Sequence, residues 1–300
     1  MFDETERTLM PSAVLVTGGA GYIGAHTCKA LAQAGFEPVA FDDLSLGSAR
    51  HVRWGPLVRA DVRHSEAVAQ AIREYGCVAV IHFAALSSVS ESVANPDLYD
   101  RVNVQGVAGV LRGMKSVGCE AIVYSSSAAV YGEPKVSPIP ETAPLLPISP
   151  YGETKRTGEG LLADRARNQS LSSIALRYFN AAGADPDGET GEDRRVETHL
   201  IPRALMAAFG RLQDFHVFGS DFPTPDGSAV RDYVHVTDLA DAHVRALRRS
   251  LEQRVTEVFN IGGGHGYSVR EVLSTIEIET GRALGAPCGP RRQGDPAVLV

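Results

Sequence analysis

The chain has 300 residues, of which 44% are apolar and 22% charged, so it can bury the core of one large α/β domain and a smaller lobe. Its net charge of −7 argues against a general nucleic-acid or anionic-membrane surface, and its longest apolar run, residues 77–86, is too short to span a bilayer. Its four cysteines are widely spaced and form no zinc-type pair, so we expect reduced thiols, no metal and a cytoplasmic protein.

The first predicted unit follows a polar, acidic tail at residues 1–11, which lacks the apolar core of a signal peptide. Ala13–Thr17 is an apolar run that predicts a strand, and a helix is expected to open near Tyr22. Three glycines lie in the turn between them: Gly18, Gly21 and Gly24. Such glycines permit a sharp turn, a close approach to a pyrophosphate and close helix–strand packing, although an ordinary strand-to-helix turn also uses glycine.

Asp42 follows the next predicted strand, residues 37–41, and lies eighteen positions after Gly24. A carboxylate at this distance from a glycine turn is expected to bind the ribose diol of a dinucleotide. It would also repel the 2′-phosphate of NADP. The pattern therefore predicts a cofactor domain that uses NAD.

Strands and helices continue to alternate through residue 180, which predicts a doubly wound, mostly parallel α/β sheet of the Rossmann type over residues 12–180. Further strands are expected near residues 56–59, 78–86, 120–124 and 172–177, and helices from residue 65, over 98–117 and from 151. Residues 181–300 are expected to form mainly a smaller C-terminal lobe, with about 230–262 returning to the large domain.

Three segments of this pattern have more than one interpretation. Asp61 could accept a hydrogen bond from an adenine amine, or could cap the helix that follows it. Asn103 lies within a helical pattern, where an asparagine is usually exposed or bonded to a neighbouring loop. Residues 185–195 are polar without an apolar period, which predicts a surface loop or a lid.

Tyr151 and Lys155 are spaced i, i+4 at the start of a predicted helix, so both lie on one face. An ammonium beside the phenol favours the phenolate and makes tyrosine a useful general base. The spacing alone is common on exposed helices. Here it follows the glycine turn, Asp42 and the serine run 125–127 in order along one predicted sheet, which favours catalysis.

These stretches together resemble the extended short-chain dehydrogenase/reductase family, in particular its NAD-dependent epimerases and dehydratases. The matching segments are residues 16–24, 125–132, 149–155, 177–183, 217–219 with 226–236, and 291–295. They span nearly the whole chain. The first three are shared by many nucleotide-sugar enzymes, whereas the last two are more specific to epimerases.

The resemblance implies a homodimeric enzyme that retains NAD and interconverts UDP-glucose and UDP-galactose, with the smaller lobe binding the UDP-sugar. Tyr151 would remove the proton of the sugar 4-hydroxyl while C4 gives hydride to NAD, and Ser127 would hydrogen-bond the same oxygen. Lys155 would bond the nicotinamide ribose and lower the pKa of Tyr151. The 4-keto sugar would then rotate and be reduced on its other face.

The resemblance also assigns binding residues by position. Those expected to line the cofactor are Gly18, Gly21, Tyr22, Ile23, Gly24, Asp42, Asp43, Asp61, Val62, Phe83, Ala84, Ala85, Asn103, Tyr151, Lys155 and Phe179. Those expected to hold the substrate are Ser127, Tyr151, Asn180, His199, Leu200, Phe218, Arg231, Arg292 and Leu299. Arg231 and Arg292 would neutralise the diphosphate, or would instead form surface ion pairs with Asp226 or Asp295.

Three residues depart from the family pattern. Ser87 stands where a lysine beside the cofactor is common, and His199 replaces an asparagine and could add pH dependence. Leu299 lies at the position that limits the sugar 2-substituent, where its intermediate size makes UDP-N-acetylglucosamine an alternative substrate, besides UDP-xylose. Members of the family are expected to run some tens of residues past Val300, so a shortened chain is expected.

Two other functions are compatible with such a cofactor domain. A 4,6-dehydratase or a uronate decarboxylase would be a related nucleotide-sugar enzyme, but a dehydratase is expected to carry an Asp-Glu pair beside the serine run, which residues 125–127 lack. A non-catalytic NAD-binding regulator would have no need of Tyr151 and Lys155. Their joint presence favours an enzyme.

Overall fold

The computed structural model describes residues 12–168 and 170–300, so the predicted tail at residues 1–11 lies outside the described part. The strands are β1 (Ala13–Thr17), β2 (Glu37–Asp42), β3 (Leu57–Arg59), β4 (Ala79–His82), β5 (Ala121–Ser125), β6 (Ser172–Tyr178), β7 (Asn180–Ala182), β8 (Val217–Phe218), β9 (Val230–His235), β10 (Thr256–Ile261), β11 (Gly266–Ser268), β12 (Cys288–Gly289) and β13 (Val298–Leu299). The α-helices are α1 (Tyr22–Gln33), α2 (Ser65–Tyr75), α3 (Val89–Ala94), α4 (Pro96–Tyr99), α5 (Gln105–Ser116), α6 (Pro150–Asn168), α7 (Leu200–Ala208), α8 (Val236–Glu252) and α9 (Val269–Thr280).

A seven-stranded parallel sheet organises the molecule, with the strand order β10-β6-β5-β4-β1-β2-β3. From β1 the chain adds strands on one side, β2 and β3, and then on the other side, from β4 onward. In such sheets ligands bind at the carboxyl ends of the strands on either side of this switch, here β1 and β4. The doubly wound α/β fold predicted from the sequence is confirmed. Its seventh strand, β10, comes from the C-terminal part of the chain and pairs with β6.

Helices cover both faces of this sheet, which explains why its central strands are apolar runs rather than alternating patterns. All five residues of β1 are buried. Leu15 packs into a cluster built with α2, α5 and α6, whereas Val14 and Val16 pack on the opposite face with α1 and α8. The carboxyl ends of β1, β2 and β4 are thereby held rigidly at one edge of the sheet.

The helical pattern predicted over 98–117 is interrupted in the structure. Helix α4 ends at Tyr99, the π-helical turn Asp100–Val104 follows, and α5 begins at Gln105. Asn103 lies in this turn and is 1% exposed. A π-helical turn inserts one extra residue, which redirects a side chain and is frequent at functional sites.

A second sheet is built around β9, which pairs with β11, β13 and β7. Helices α7 and α9 pack against each other around Ala204, Phe215, Leu273 and Ile276. Helix α8, by contrast, packs on the large sheet beside α1. Within the described ranges, no helix has both the length and the apolar character that crossing a membrane requires.

Candidate active site

The glycine turn after β1 is shaped by three different requirements. Gly18 has a φ of +72°, and a Cβ there would lie 2.7 Å from the backbone nitrogen of Ala84. A Cβ at Gly24 would lie 2.1 Å from the carbonyl oxygen of Gly18, so this glycine lets α1 pack against the turn. A Cβ at Gly21 would lie 3.2 Å from the carbonyl oxygen of Gly18. This is a tight contact, so a side chain at Gly21 would require a small shift of the turn.

The start of α1 offers N–H groups to an anion, and the end of β2 offers the Asp42 carboxylate to hydroxyl groups. Gly21 caps α1 without a side-chain hydrogen bond, so the first-turn N–H groups are available to an anion. The Asp42 carboxylate accepts hydrogen bonds from the backbone of Ala20 (3.0 Å) and Leu44 (2.8 Å). Burial raises the pKa of Asp42, and these two bonds oppose the rise. The arrangement fits a pyrophosphate at α1 and a ribose at Asp42.

The two other predicted acids of the cofactor site differ in environment. Asp43 is exposed and accepts a hydrogen bond from the Ser45 backbone (2.8 Å). Asp61 is paired with the Arg63 guanidinium, with 2.8 Å between Oδ2 and Nε, and this bond lowers the pKa of Asp61. The alternative of Asp61 as a helix cap is wrong, because α2 begins after His64 and its cap makes no side-chain bond.

Asn103 links two segments of the predicted site. Its Oδ1 accepts from the Leu86 backbone N–H (2.8 Å), and its Nδ2 donates to the Leu86 carbonyl (3.0 Å) and the Thr154 hydroxyl (3.0 Å). It thus ties the loop after β4 to α6. The remaining predicted cofactor residues lie at the carboxyl ends of the strands or the start of α1: Tyr22, Ile23, Val62, Phe83, Ala84, Ala85 and Phe179.

Tyr151 is 7% exposed in the first turn of α6, opposite the serine run at the end of β5. Burial raises the pKa of its hydroxyl. The nearby Ser127 hydroxyl and the positive charge of Arg194 both lower this pKa. Ser127 itself starts a short 3₁₀ turn, and its Oγ accepts from the Ala129 N–H at 3.2 Å. Ser127 and Tyr151 therefore lie close together at the end of β5.

Lys155 is 3% exposed one turn further along α6. Its Nζ donates to the Ser125 carbonyl at 2.8 Å and lies 5.8 Å from the centroid of the Tyr151 ring. Burial lowers the pKa of Lys155 to about 7, and the negative charge of Glu159 opposes this fall. The Lys155 side chain is thus fixed between Tyr151 and the end of β5.

Sequence reasoning missed two charged groups, Arg194 near Tyr151 and Glu159 near Lys155. Arg194 donates from Nε to the Glu192 carboxylate (3.0 Å), and the same oxygen lies 2.6 Å from Nδ1 of His199. Glu159 lies on the Tyr151–Lys155 face of α6. The four-residue spacing could have revealed Glu159, whereas Arg194 lies in an irregular segment without any periodic signal.

The two predicted phosphate-binding arginines share one carboxylate. Asp295 lies 3.6 Å from Nη2 of Arg231 and 3.0 Å from Nε of Arg292. The alternative partner Asp226 instead accepts hydrogen bonds from two serines. Arg292 also stacks over the Phe218 ring, with 5.0 Å from its guanidinium carbon to the centroid. Two guanidiniums on one carboxylate leave positive charge for an anionic ligand.

The remaining predicted substrate residues come from three elements. Asn180 begins β7 and is exposed, His199 caps α7, and Leu200 is its first residue. Leu299 in β13 is 8% exposed and lies in register with Arg231. It packs in one cluster with Ala128 and Phe179, next to the turn that carries Ser127.

The predicted surface loop, residues 185–195, binds the buried ammonium of Lys29 on α1. Nζ of Lys29, on α1, lies 2.8 Å from Asp185, 2.6 Å from Asp187 and 2.9 Å from Glu189. Hydrogen bonds to these carboxylates raise the pKa of Lys29 despite its burial. Burial raises the pKa of Asp185 but the Lys29 ammonium outweighs it, so the net pKa lies below the usual range.

Further contacts hold a longer segment that includes this loop, residues 183–199, on α1 and the turn after β2. The Tyr22 hydroxyl donates to the Gly183 carbonyl at 2.6 Å. The others join Arg53 to Glu189, His51 to Thr190, and Arg50 and His51 to Asp193. Residues 183–199 are therefore anchored along one side of the predicted cofactor crevice.

Replacing Lys29 with methionine is expected to release residues 183–199, because the buried Asp185 would lose its counter-charge. Limited proteolysis within this segment should become faster by about tenfold or more. Lys135→Met, an exposed lysine in the connection between β5 and α6, serves as the matched control. Equal cleavage rates in the Lys29 variant and wild type would contradict the anchoring role.

Acidic pH should likewise release residues 183–199 in the wild-type protein. The depressed pKa of Asp185 means that its contribution is present above the usual carboxyl pKa of about 4 and is lost as the pH falls below that value. Proteolysis between pH 3 and 6 with an acid-active protease should therefore accelerate at the acidic end for wild type. The Lys29→Met variant should respond less.

The sequence of this chain is similar to those of known proteins in one family. The sequence model of the NAD dependent epimerase/dehydratase family matches residues 14–262. A UDP-glucose 4-epimerase from Rhizobium leguminosarum bv. trifolii is 47% identical over 287 residues, which are 96% of this chain and 88% of the relative.

Solved structures agree with that match. UDP-glucose 4-epimerase from Brucella ovis in complex with NAD is 47% identical with a TM-score of 0.90, covering 96% of this chain and 89% of that one. The UDP-Glc/GlcNAc 4-epimerase from Campylobacter jejuni is 36% identical with a TM-score of 0.81, covering 96% and 90%. The chain therefore belongs to the NAD dependent epimerase/dehydratase family.

Proposed function

We propose that this chain interconverts UDP-glucose and UDP-galactose as an NAD-dependent 4-epimerase. The observation that carries the proposal is the buried Tyr151–Ser127 pair with Lys155 beside it, at the same edge of the sheet as the glycine turn and Asp42. The related proteins from Rhizobium leguminosarum and Brucella ovis are both named UDP-glucose 4-epimerase. A non-catalytic regulator would have no need of the buried tyrosine and lysine.

NAD would be held by the open start of α1 and by the Asp42 carboxylate, with Asp61 and Asn103 further along the crevice. When bound, this cofactor supplies a reversible hydride acceptor next to the sugar C4. The segment 183–199, anchored by Lys29, flanks the start of α1 and supports retention of the cofactor through the reaction.

The chain's own side chains would move the sugar proton. Tyr151 would accept the proton of the 4-hydroxyl during oxidation and return it during reduction, and Ser127 would hold the same oxygen. Burial raises the pKa of Tyr151, so the positive charges of Lys155 and Arg194 would be needed to favour its phenolate. A lower Tyr151 pKa caused by Lys155 remains a prediction for the loaded enzyme.

We divide the chain into a cofactor domain, residues 12–180 with α8 and β10 from the expected return at about 230–262, and a substrate-binding lobe in the rest of 181–300, which includes β9. Arg231 and Arg292 would hold the diphosphate of the UDP-sugar, since Asp295 neutralises only one of them. Asn180, His199, Leu200 and Phe218 would contact the rest of the substrate. The Glu192 carboxylate, 2.6 Å from Nδ1 of His199, would orient this imidazole toward the substrate.

The test is to incubate the purified protein with UDP-galactose without added NAD and to quantify UDP-glucose over time. Conversion toward an equilibrium mixture, with about one NAD per chain released by denaturation, is the expected result. A protein that converts UDP-galactose only when NAD is added would retain the epimerase activity but not the bound cofactor. Absence of conversion in both conditions contradicts the proposal.

UDP-N-acetylglucosamine is a second candidate substrate, favoured by Leu299. This side chain packs beside Phe179 and the turn that carries Ser127, and is smaller than an aromatic residue. The Campylobacter jejuni relative is named as acting on both UDP-Glc and UDP-GlcNAc. We expect wild type to convert UDP-N-acetylglucosamine and Leu299→Tyr to lose this activity by about tenfold or more relative to UDP-glucose, because the larger ring removes space. A wild-type rate on the N-acetyl sugar below about one-thousandth of the UDP-glucose rate counts against it.

We further propose a cytoplasmic homodimer. All four cysteines are free thiols and three are buried, as in a reducing compartment. The outer faces of α5 and α6 form an open groove of about 310 Å³ that includes Ala108, Leu111 and Leu161. Pairing of this groove with a second copy would give a dimer in sedimentation velocity, and Leu161→Glu should shift it to monomer.

A further inference from the structure

Three residues on one face of α6 each contact a different residue of the serine run. Tyr151, Lys155 and Glu159 follow one another at four-residue spacing, which places them in a row along the helix. The Tyr151 hydroxyl lies beside Ser127, and Lys155 donates to the Ser125 carbonyl at 2.8 Å. The row is completed by Glu159, whose Oε1 accepts from the Ser126 hydroxyl at 2.5 Å.

Two glycines allow the helix to come this close. A Cβ at Gly158 would lie 2.3 Å from the Tyr124 hydroxyl oxygen, and a Cβ at Gly152 would lie 2.5 Å from the Ala129 carbonyl oxygen. The backbone of α6 therefore presses directly on the end of β5 and on the turn after it. At this separation a short side-chain contact such as Glu159–Ser126 fixes the serine run along its length.

Glu159 is itself held by Arg177 on β6. The guanidinium donates twice to the carboxylate, at 2.9 Å from Nε and 2.6 Å from Nη2, and the two side chains are 10% and 5% exposed. Arg177 also donates to the Tyr131 hydroxyl at 2.8 Å. Buried ion pairs contribute little net stability compared with apolar residues of similar size, so stability alone does not account for this one.

We propose that Glu159 is a positioning residue for the epimerase reaction: clamped by Arg177, it fixes Ser126 and thereby holds the Ser127 hydroxyl beside Tyr151 and the Ser125 carbonyl on Lys155. This inference rests on the proposed function. In the described part of the chain Glu159 hydrogen-bonds Ser126 and Arg177, so its positioning effect passes through the serine run.

Glu159 also acts on the charge of Lys155. Burial lowers the pKa of Lys155, and Glu159 is the acid that raises it. The other titratable groups facing Lys155 are Tyr124 on β5, Tyr151 on its own helix and His82 on β4, whose pKa is lowered by burial to about 3 and which is therefore neutral. Loss of the carboxylate is thus expected to deprotonate Lys155 at lower pH.

The experiment compares variants of the full-length, NAD-loaded protein with UDP-galactose. Glu159→Met/Arg177→Met removes both buried charges together and keeps the packing volume. We expect kcat to fall by about tenfold to a hundredfold with KM nearly unchanged, because the reacting groups are misplaced. The alkaline limb of the kcat profile should move to lower pH. Backbone amides of residues 126–130 should exchange faster with solvent.

Three further variants keep the inference falsifiable. Glu153→Gln breaks an exposed ion pair on the same helix and should leave kcat and the pH profile unchanged. Ser126→Ala removes only the link to the serine run and should lower kcat without moving the alkaline limb. Glu159→Asp should recover part of the activity of the double variant.

The wild-type protein shows whether the proposed function or only the role of Glu159 has failed. If wild type does not convert UDP-galactose, the proposed function fails, and the amide exchange of residues 126–130 still reports the positioning. If wild type is active and the double variant keeps its kcat and pH profile, Glu159 has only a structural role and the inference is overturned. Where the double variant does not fold, unchanged kcat in Ser126→Ala and Glu159→Asp overturns it equally.

Discussion

Tyr151→Phe is expected to lower the rate of UDP-galactose conversion by about a thousandfold while leaving NAD bound and the fold intact. The substitution removes only the hydroxyl that would accept and return the sugar proton, and general acid–base groups contribute about a hundredfold to ten-thousandfold. The ring remains packed at the start of α6, where it contacts Tyr99 edge-on at 6.4 Å between centroids. Stability should therefore change little.

Initial rates at saturating UDP-galactose, with NAD content determined on the same samples, measure the effect. Tyr75→Phe, the same chemical change at the end of α2, is the matched control and should retain wild-type activity. Ser127→Ala should lose less than Tyr151→Phe, since Tyr151 would still exchange the proton. A Tyr151→Phe variant with more than about a tenth of wild-type activity would rule out Tyr151 as the base.

Gly24→Ala is the second substitution with a large expected effect. A methyl group at this position would lie 2.1 Å from the Gly18 carbonyl oxygen and 2.9 Å from its carbon, so α1 and the glycine turn cannot keep their separation. Such an overlap with backbone costs about 3 kcal/mol or more. Displacement of α1 also moves the N–H groups expected to bind the pyrophosphate, so bound NAD should be lost.

Gly160→Ala is the matched control for this change. It lies on the exposed side of α6, and a Cβ there meets no atom within 4 Å. Because alanine restricts the unfolded chain and favours helix, this variant should be more stable by about 0.5–1 kcal/mol. Chemical unfolding of the NAD-loaded proteins gives both values. Equal stability and NAD content in the two variants would contradict the packing role of Gly24.

The sequence by itself determined the fold class and the start of the cofactor site. Apolar runs, helical periods and glycine positions are local signals, and each reports a structure that forms within about thirty residues. The strand Ala13–Thr17, the glycine turn and the helix from Tyr22 were predicted in this way, and the doubly wound sheet followed from repeating the unit. The motifs also led to the correct family.

Only the tertiary structure decided the contacts between distant segments. Lys29 meets Asp185, and Glu159 meets Arg177, through side chains whose sequence neighbours carry no signal of the pairing. The π-helical turn that buries Asn103 likewise depends on the loop after β4. Spacing along a helix fixes which residues share a face, but the partner of that face is set by the packing of α6 against the end of β5. Long-range packing, rather than local propensity, therefore determines which charges are buried around Tyr151.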